Sequence, residues 1–349
     1  MIIFFHLPKY NKKSMDQKTY RALVVRGNSE QGFQRAVEER SITDLPAGEV
    51  LIRVHFSSLN YKDALSAIGN RGVTRKFPHT PGIDAAGVVE ASTDDQFAVG
   101  DEVLCMGYDL GMNTAGGFAD YIRVPAKWVL VKPKQLSLYE TMQIGTAGFT
   151  AAQCVDRLLY FGVQPDHGPV LVTGATGGVG STAVALLSRL GFEVAGVTGK
   201  EREHSFLQQL GCTTILNRKK ATGRPAAAML RERWAGVVDT VGGEILATAI
   251  KSTRYDGVVT CCGNAASGDL PLTVYPFILR GVSLVGIDSA SCPMSRRSAI
   301  WQQLAGPWRL DMQASICSLI SLDQVSQAID DILAGKIRGR VVVDLGGSV

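Results

Sequence analysis

The stretch of this chain with the most chemistry in it runs from Val170 to Gly191, VLVTGATGGVGSTAVALLSRLG. An apolar run enters a cluster of small residues and leaves as a segment with Ala183, Val184, Leu187 and Leu190 at helical spacing, which predicts a buried strand, a tight turn and a helix. A dinucleotide-binding turn needs one small residue for the bend, a second so that the backbone can approach a pyrophosphate, and a third where helix and strand pack closely. Ala175, Gly177 and Gly180 stand at those three places, with alanine as a departure at the first. The helix start then offers free main-chain N–H groups and a positive dipole end to phosphate oxygens. The bland alternative is a tight strand-to-helix turn without a ligand.

The end of the next apolar run decides which nicotinamide nucleotide would fit. Sites for the unphosphorylated cofactor carry an acid there for the ribose hydroxyls. This chain has Val197, Thr198, Gly199 and Lys200 instead, and Arg218 follows a third run, Thr214 to Leu216. A hydroxyl, a backbone turn and two cations with no acid to repel a 2′-phosphate favour NADPH. Two solvated surface charges are the alternative for Lys200 and Arg218.

These groups need elements to position them, and the chain has two textures. From Tyr20 to about Lys134, short segments broken by Gly and Pro (21–26, 49–56, 86–91, 102–106, 118–124 and 128–132) predict an irregular β-rich domain. From Gly168 to about Ile287, apolar runs alternate with helical stretches, the pattern of a doubly wound parallel sheet. A helical region follows and includes residues 321–333; a last strand, Arg340 to Leu345, has no sheet partner nearby in sequence. The expected division is an extension or tag over 1–14, a β-rich domain over 15–145 completed by 305–349, and a nucleotide-binding domain over 146–304. The fold class is therefore α/β.

Composition excludes several other classes. The chain is 46% hydrophobic and 19% charged, as in an ordinary soluble globular protein. A net charge of +4, with no basic-aromatic stripe, argues against nucleic acid. No apolar run is long enough to span a membrane. The segment 1–14 lacks the basic region and cleavage site of a signal peptide. Seven scattered cysteines without paired spacing point to a reducing, cytoplasmic compartment. Adjacent Cys261 and Cys262 read as core thiols rather than a redox pair.

From about Tyr20 to Leu345 the chain resembles the medium-chain dehydrogenase/reductase superfamily. The resemblance rests on SLNYKDAL (58–65), FPHTPGIDAAG (77–87), GDEV (100–103), GGFA (116–119), GTAGFTA (145–151), the phosphate turn and VVDTVGG (237–243). PFILRGVSLVGIDS (276–289) and GKIRGR (335–340) make it most similar to the acrylyl-CoA reductase and quinone-oxidoreductase-like branch. The resemblance implies a GroES-like domain that takes up the C-terminal strand, a Rossmann domain, and reduction of an activated C=C bond by hydride transfer from NADPH. It places Tyr61, Thr176 to Val179, Thr198 to Lys200, Arg218, Asn264, Ile278, Ser289 and Gly335 at the cofactor; Asn264 and Gly335 would act there through the main chain. It also implies a homodimer paired through the apolar segment 282–287.

Zinc-dependent relatives carry a cysteine where this chain has Asn60, and Gly-His-Glu where it has Gly82, Ile83 and Asp84. The resemblance thus implies no metal, because Asn and Ile cannot supply those ligands. Tyr61 and Asn60 are the candidates for positioning nicotinamide or contacting an enolate oxygen, with a loop-stabilising pair as the alternative. Thr150 and Thr146 are candidates for the carboxamide or, equally, core or cap hydroxyls; Asp84 and His79 read as structural. Arg71, Arg75 and Lys76 form a basic patch suited to the phosphates of an acyl-CoA, with a solvated loop as the alternative. The substrate is thus an acyl-CoA or a quinone, and a non-catalytic NADPH-binding protein is the rival of another class.

Overall fold

The computed structural model describes residues 18–28, 30–223, 226–311 and 316–347 and divides into two units. The expected 1–14 extension lies outside the described residues.

The first unit comprises residues 1–132, 320–333 and 343–349. Strands β1 (Thr19–Asn28) and β2 (Gly32–Ser41) form an antiparallel ribbon with Thr19 opposite Ser41. β3 (Val50–Ser58), helix α1 (Tyr61–Ala67), β4 (Asp84–Ser92), β5 (Glu102–Met106), β6 (Tyr121–Val124) and β7 (Val129–Val131) follow. Val50, Ile52 and Val54 alternate along β3 into a core shared with Val89, Val103, Ile122 and Val124, while Leu51 on the opposite face joins a second core with Tyr20, Ala22 and Val24, the two-residue period of a strand. β2 was not visible in the sequence. None of its residues is buried, so GFQRAVEERS carries no alternating apolar face.

The second unit comprises residues 133–319 and 334–342. It opens with α2 (Leu138–Tyr160), which is capped by Ser137. The Ser137 hydroxyl accepts the Glu140 N–H at 3.1 Å. In return the Glu140 carboxylate accepts the Ser137 N–H at 2.7 Å, so two donors at the helix start are satisfied reciprocally. β8 (Val170–Val172), α3 (Gly178–Arg189), β9 (Val194–Val197), α4 (His204–Gln209), β10 (Thr214–Leu216), α5 (Arg218–Ala221), β11 (Trp234–Asp239), α6 (Gly243–Lys251), β12 (Thr253–Cys261), α7 (Tyr275–Arg280), β13 (Ser283–Gly286) and α8 (Met294–Ala305) alternate after it. The six strands are all parallel, in the order β10-β9-β8-β11-β12-β13. That order reverses between β8 and β11, the switch point at which open α/β sheets bind ligands beyond their carboxyl ends.

The chain ends with β14 (Cys317–Ser321), α9 (Val325–Leu333) and β15 (Arg340–Asp344). β15 finds its partner in β3, so the orphan strand of the sequence completes a sheet of order β14-β15-β3-β4-β5-β7, with β6 also on β3. The unit boundary differs from the expected one at residue 145. That position falls at Gly145, whose φ of 49° and ψ of −162° break α2 into two helical stretches, both of which belong to the second unit. Residues 305–319 stay with the second unit as well.

Candidate cofactor site

The turn after β8 is built by glycine. Gly174 takes φ +59°, so the left-handed bend falls one residue before Ala175, where the sequence placed it. Ala175 is buried, and its N–H donates to the Val197 carbonyl at 3.0 Å. A Cβ on Gly180 would lie 2.3 Å from the Gly174 oxygen and 2.8 Å from the Ala175 Cα, so this glycine lets the helix press on the turn. Gly177, by contrast, would meet only the Gly174 oxygen at 3.4 Å. It is the N-cap of α3 and offers no capping side chain, leaving the helix start open to an anion.

Sequence reasoning missed the brace of this turn, Asp239, although VVDTVGG carried the signal. The Asp239 carboxyl accepts Thr173 Oγ1 at 2.7 Å and the Gly242 N–H at 2.8 Å; Thr240 Oγ1 donates to the Thr173 carbonyl at 2.9 Å. Burial pushes the Asp239 pKa up, and its hydrogen bonds act against that. The ends of β8 and β11 are thereby locked together at the switch point.

At the end of β9, the Thr198 hydroxyl sits 3.3 Å from that of Thr176 and accepts the Lys200 N–H at 3.0 Å. The Arg218 guanidinium lies against Gly199, where a Cβ would fall 2.7 Å from Nε, so a larger residue there would displace the Arg218 side chain. Lys200 directs its ammonium to the Ile337 carbonyl at 2.5 Å, and burial lowers its pKa. The GKIRGR segment therefore lines this region: Gly339 N–H donates to the Thr176 carbonyl at 3.0 Å, and Arg340 Nη1 lies 3.2 Å from the place of a Cβ on Gly178. Of that segment the sequence had singled out Gly335, which is exposed and takes φ +66° just past α9, as a helix-ending glycine does. The expectation of no acid near a 2′-phosphate also needs correction. Glu203 lies one short turn beyond Lys200 and is buried.

The remaining candidates of this unit are distributed around the strand ends. Asn264 is exposed beyond β12, Ile278 is exposed on α7, and Ser289 follows β13 with its carbonyl accepting Arg297 Nη2 at 3.1 Å. Thr150 donates to the Thr146 carbonyl at 2.6 Å, a bond within its own helix that leaves the oxygen lone pairs. Cys262 lies beside Cys154, and that contact together with burial pushes its thiol strongly up, against redox reactivity. All seven cysteines are free.

In the first unit, Asn60 and Tyr61 have different surroundings. Asn60 is buried, and Nδ2 donates to Asp84 Oδ2 at 2.8 Å and to the Ser58 carbonyl at 3.1 Å. Tyr61 is 47% exposed at the first position of α1. Behind the loop, Asp63 is fully enclosed. Its Oδ2 accepts the Asn60 N–H at 2.7 Å, and its Oδ1 accepts those of Ile83 at 2.8 Å and Gly82 at 3.2 Å. Burial, then the nearby Asp84 charge, push its pKa up to about 7. His79 shares a hydrogen bond of 2.9 Å with the Gly111 carbonyl, and burial lowers its pKa, so it is a packed, neutral ring. Arg71, Arg75 and Lys76 are exposed, and none forms an ion pair among the described residues. No group of three or more His, Cys, Asp or Glu among the described residues converges as a metal site.

An open glycine at a helix start, hydroxyls on one side and cations beyond them fit a phosphorylated dinucleotide. Residues 46–134 match the alcohol dehydrogenase GroES-like domain family, and residues 178–305 match the zinc-binding dehydrogenase family. The acrylyl-CoA reductase AcuI of Ruegeria pomeroyi is 43% identical over 93% of this chain and 99% of its own length. The YhdH oxidoreductase of Salmonella enterica, solved in complex with NADP, superposes with a TM-score of 0.90 at 43% identity, covering 93% of this chain and 99% of that one. Bacillus subtilis YhfP, solved with NAD bound, gives 0.91 at 42% identity over 94% and 100%.

Proposed function

Because the chain belongs to the medium-chain dehydrogenase/reductase superfamily, in the group that holds the acrylyl-CoA reductase AcuI, we propose that it reduces acryloyl-CoA to propionyl-CoA with NADPH. The observation that carries the cofactor half is the open, uncapped start of α3 at Gly177 in the same unit as Thr198, Lys200 and Arg218. NADPH, when bound, would supply a hydride from its nicotinamide C4 to the electron-poor β-carbon of the enoyl thioester, and the α-carbon would take a proton from solvent to complete propionyl-CoA.

The chain's own residues hold and orient. Main-chain N–H groups of Gly178 and Val179 are proposed to bind the pyrophosphate, with Gly177, whose own N–H goes to the Gly174 carbonyl at 2.9 Å, allowing close approach, Thr176 and Thr198 beside it, and Lys200 and Arg218 on the 2′-phosphate. Asn264, Ile278, Ser289, Thr150 and Gly335 are proposed to line the rest of the nucleotide. Tyr61 is the proposed contact for the substrate: its side chain is exposed, and its hydroxyl can donate to the thioester oxygen on which negative charge develops. Asn60 acts through Tyr61, since its amide is committed to Asp84 and Ser58 and fixes the start of α1. No step asks for a metal, and Asn60 and Ile83 stand where the zinc-dependent relatives keep ligands.

The three cations Arg71, Arg75 and Lys76 are proposed to receive CoA phosphates. A homodimer through the β13 edge and a cytoplasmic setting with all thiols reduced complete the reading. The test is a comparison of kcat/KM for acryloyl-CoA and for small uncharged quinones, with NADPH and a chelator present. The proposal predicts a preference for acryloyl-CoA, and a KM for it that rises at least about fivefold in Arg71→Ala with Arg75→Ala while the quinone is unaffected. A preference for the quinone that the double variant leaves intact would replace acryloyl-CoA by quinones, and NADPH binding without any oxidation would make the chain a binding protein.

A further inference from the structure

We propose that Arg338 sets the preference for a 2′-phosphorylated cofactor by neutralising the buried acid Glu203. The inference rests on the reading that Lys200 and Arg218 receive the 2′-phosphate.

Glu203 is placed where it can do harm. Its N–H donates to the Lys200 carbonyl at 3.0 Å, so it follows the proposed phosphate-binding lysine by one tight turn. Its side chain is only 9% exposed, and both carboxylate oxygens are engaged: Oε2 by Arg338 Nη1 at 2.9 Å and Oε1 by Arg202 Nε at 3.3 Å. Arg202 is 70% exposed. Arg338 is the better-held partner, because its guanidinium also lies 5.2 Å from the centre of the Phe206 ring, within the range of a cation–π contact. The neighbouring residue completes the arrangement, since the Ile337 carbonyl takes the Lys200 ammonium at 2.5 Å. Two consecutive residues thus hold opposite charges apart, the carbonyl of 337 holding the cation and the guanidinium of 338 holding the anion.

A buried carboxylate that loses its partner seeks the nearest cation. Lys200 is within electrostatic reach of Glu203, as is Arg202. Without Arg338, Glu203 would keep only the largely exposed Arg202, would draw the Lys200 ammonium toward itself and would add a poorly compensated negative charge beside the ribose. An acid near the end of the second strand is what sites for the unphosphorylated cofactor use. Glu203 is, on this view, such an acid kept silent by the C-terminal segment.

The test is calorimetric titration of the full chain with 2′,5′-ADP and with 5′-AMP, which differ in the 2′-phosphate and need no turnover. The parent protein is expected to bind 2′,5′-ADP more tightly. Arg338→Met should lose about tenfold toward 2′,5′-ADP, the size of one poorly screened charge at this range, with 5′-AMP unchanged. Arg338→Met combined with Glu203→Gln should recover to within about threefold of the parent, because the acid is gone. Glu203→Gln alone should hold or tighten 2′,5′-ADP binding, which keeps the test decisive if Arg338→Met does not fold. An unchanged ratio in Arg338→Met, equal losses for both ligands, failure of the double variant to recover, or weakened 2′,5′-ADP binding in Glu203→Gln would overturn the role of Arg338. A parent protein without preference for 2′,5′-ADP would instead overturn the cofactor reading on which it rests.

Discussion

The ammonium of Lys200 lies 2.5 Å from the carbonyl oxygen of Ile337, a residue 137 positions later in the chain. That contact joins the end of β9 to the segment before β15, so the candidate phosphate-binding lysine is held by main chain rather than by a carboxylate. Two further ammonium donors stay available to an anion.

Lys200→Ala is therefore expected to weaken NADPH by about 1.5–3 kcal/mol, the range for hydrogen bonds to charged groups, with little effect on NADH. Titration with both cofactors checks it. Equal losses would mean that Lys200 does not read the 2′-phosphate.

Gly177 and Gly180 should separate binding from folding. A Cβ on Gly177 meets only one atom, at 3.4 Å. Gly177→Ala should therefore leave the thermal midpoint within about 2 °C of the parent and weaken NADPH at least about tenfold by intruding on the pyrophosphate. On Gly180 a methyl would fall 2.3 Å from the Gly174 oxygen. Gly180→Ala should destabilise the fold by about 1–3 kcal/mol. Thermal melts and cofactor titration of both variants would refute the assignment if the two effects were exchanged.

Asp63 predicts a pH dependence of stability. Its pKa in the folded chain, about 7, exceeds the ordinary carboxyl value of 3.8, so between those pH values the folded state holds the proton more firmly than the unfolded one. The stabilisation is full below about pH 4 and is lost as pH rises to about 7, on the order of 4 kcal/mol in total. Asp63→Asn has no proton to lose there. Denaturant unfolding at pH 5 and pH 8 should show the parent losing stability relative to the variant; a constant difference would contradict the burial argument.

Assembly follows from the sheet edge. Among the described residues β13 pairs with β12 alone, Leu284 is exposed on it, and Val274, Ile278 and Leu279 are exposed at α7 just before it in sequence, an apolar edge that a second copy would cover. Light scattering should give a dimer mass at micromolar concentration, and Leu284→Lys should shift it toward monomer. A monomeric parent would remove this proposal.

The sequence was most legible where local pattern and burial agree. β8, β9 and β11 are buried along their whole length, and their continuous apolar runs stand out between helical stretches. β2 was invisible because its ribbon buries no side chain of that strand. The expected division at residue 145 falls where Gly145 breaks α2 into two helical stretches, whereas the division into compact units falls at residues 132 and 133. Within the site, Thr198 and Lys200 could be read from their place after a strand. Glu203 and Arg338 could not be paired, because they meet across 135 positions, and Asp239 was passed over although VVDTVGG carried it, because its partner Thr173 is distant in sequence.

The most direct test of the central claim is anaerobic single-turnover reduction of acryloyl-CoA with NADPH carrying deuterium at both C4 positions. The account predicts loss of the near-ultraviolet absorbance of NADPH without added metal and unaffected by chelator, and propionyl-CoA carrying one deuterium on its methyl carbon. No absorbance loss with acryloyl-CoA, or product without deuterium at that carbon, would contradict it.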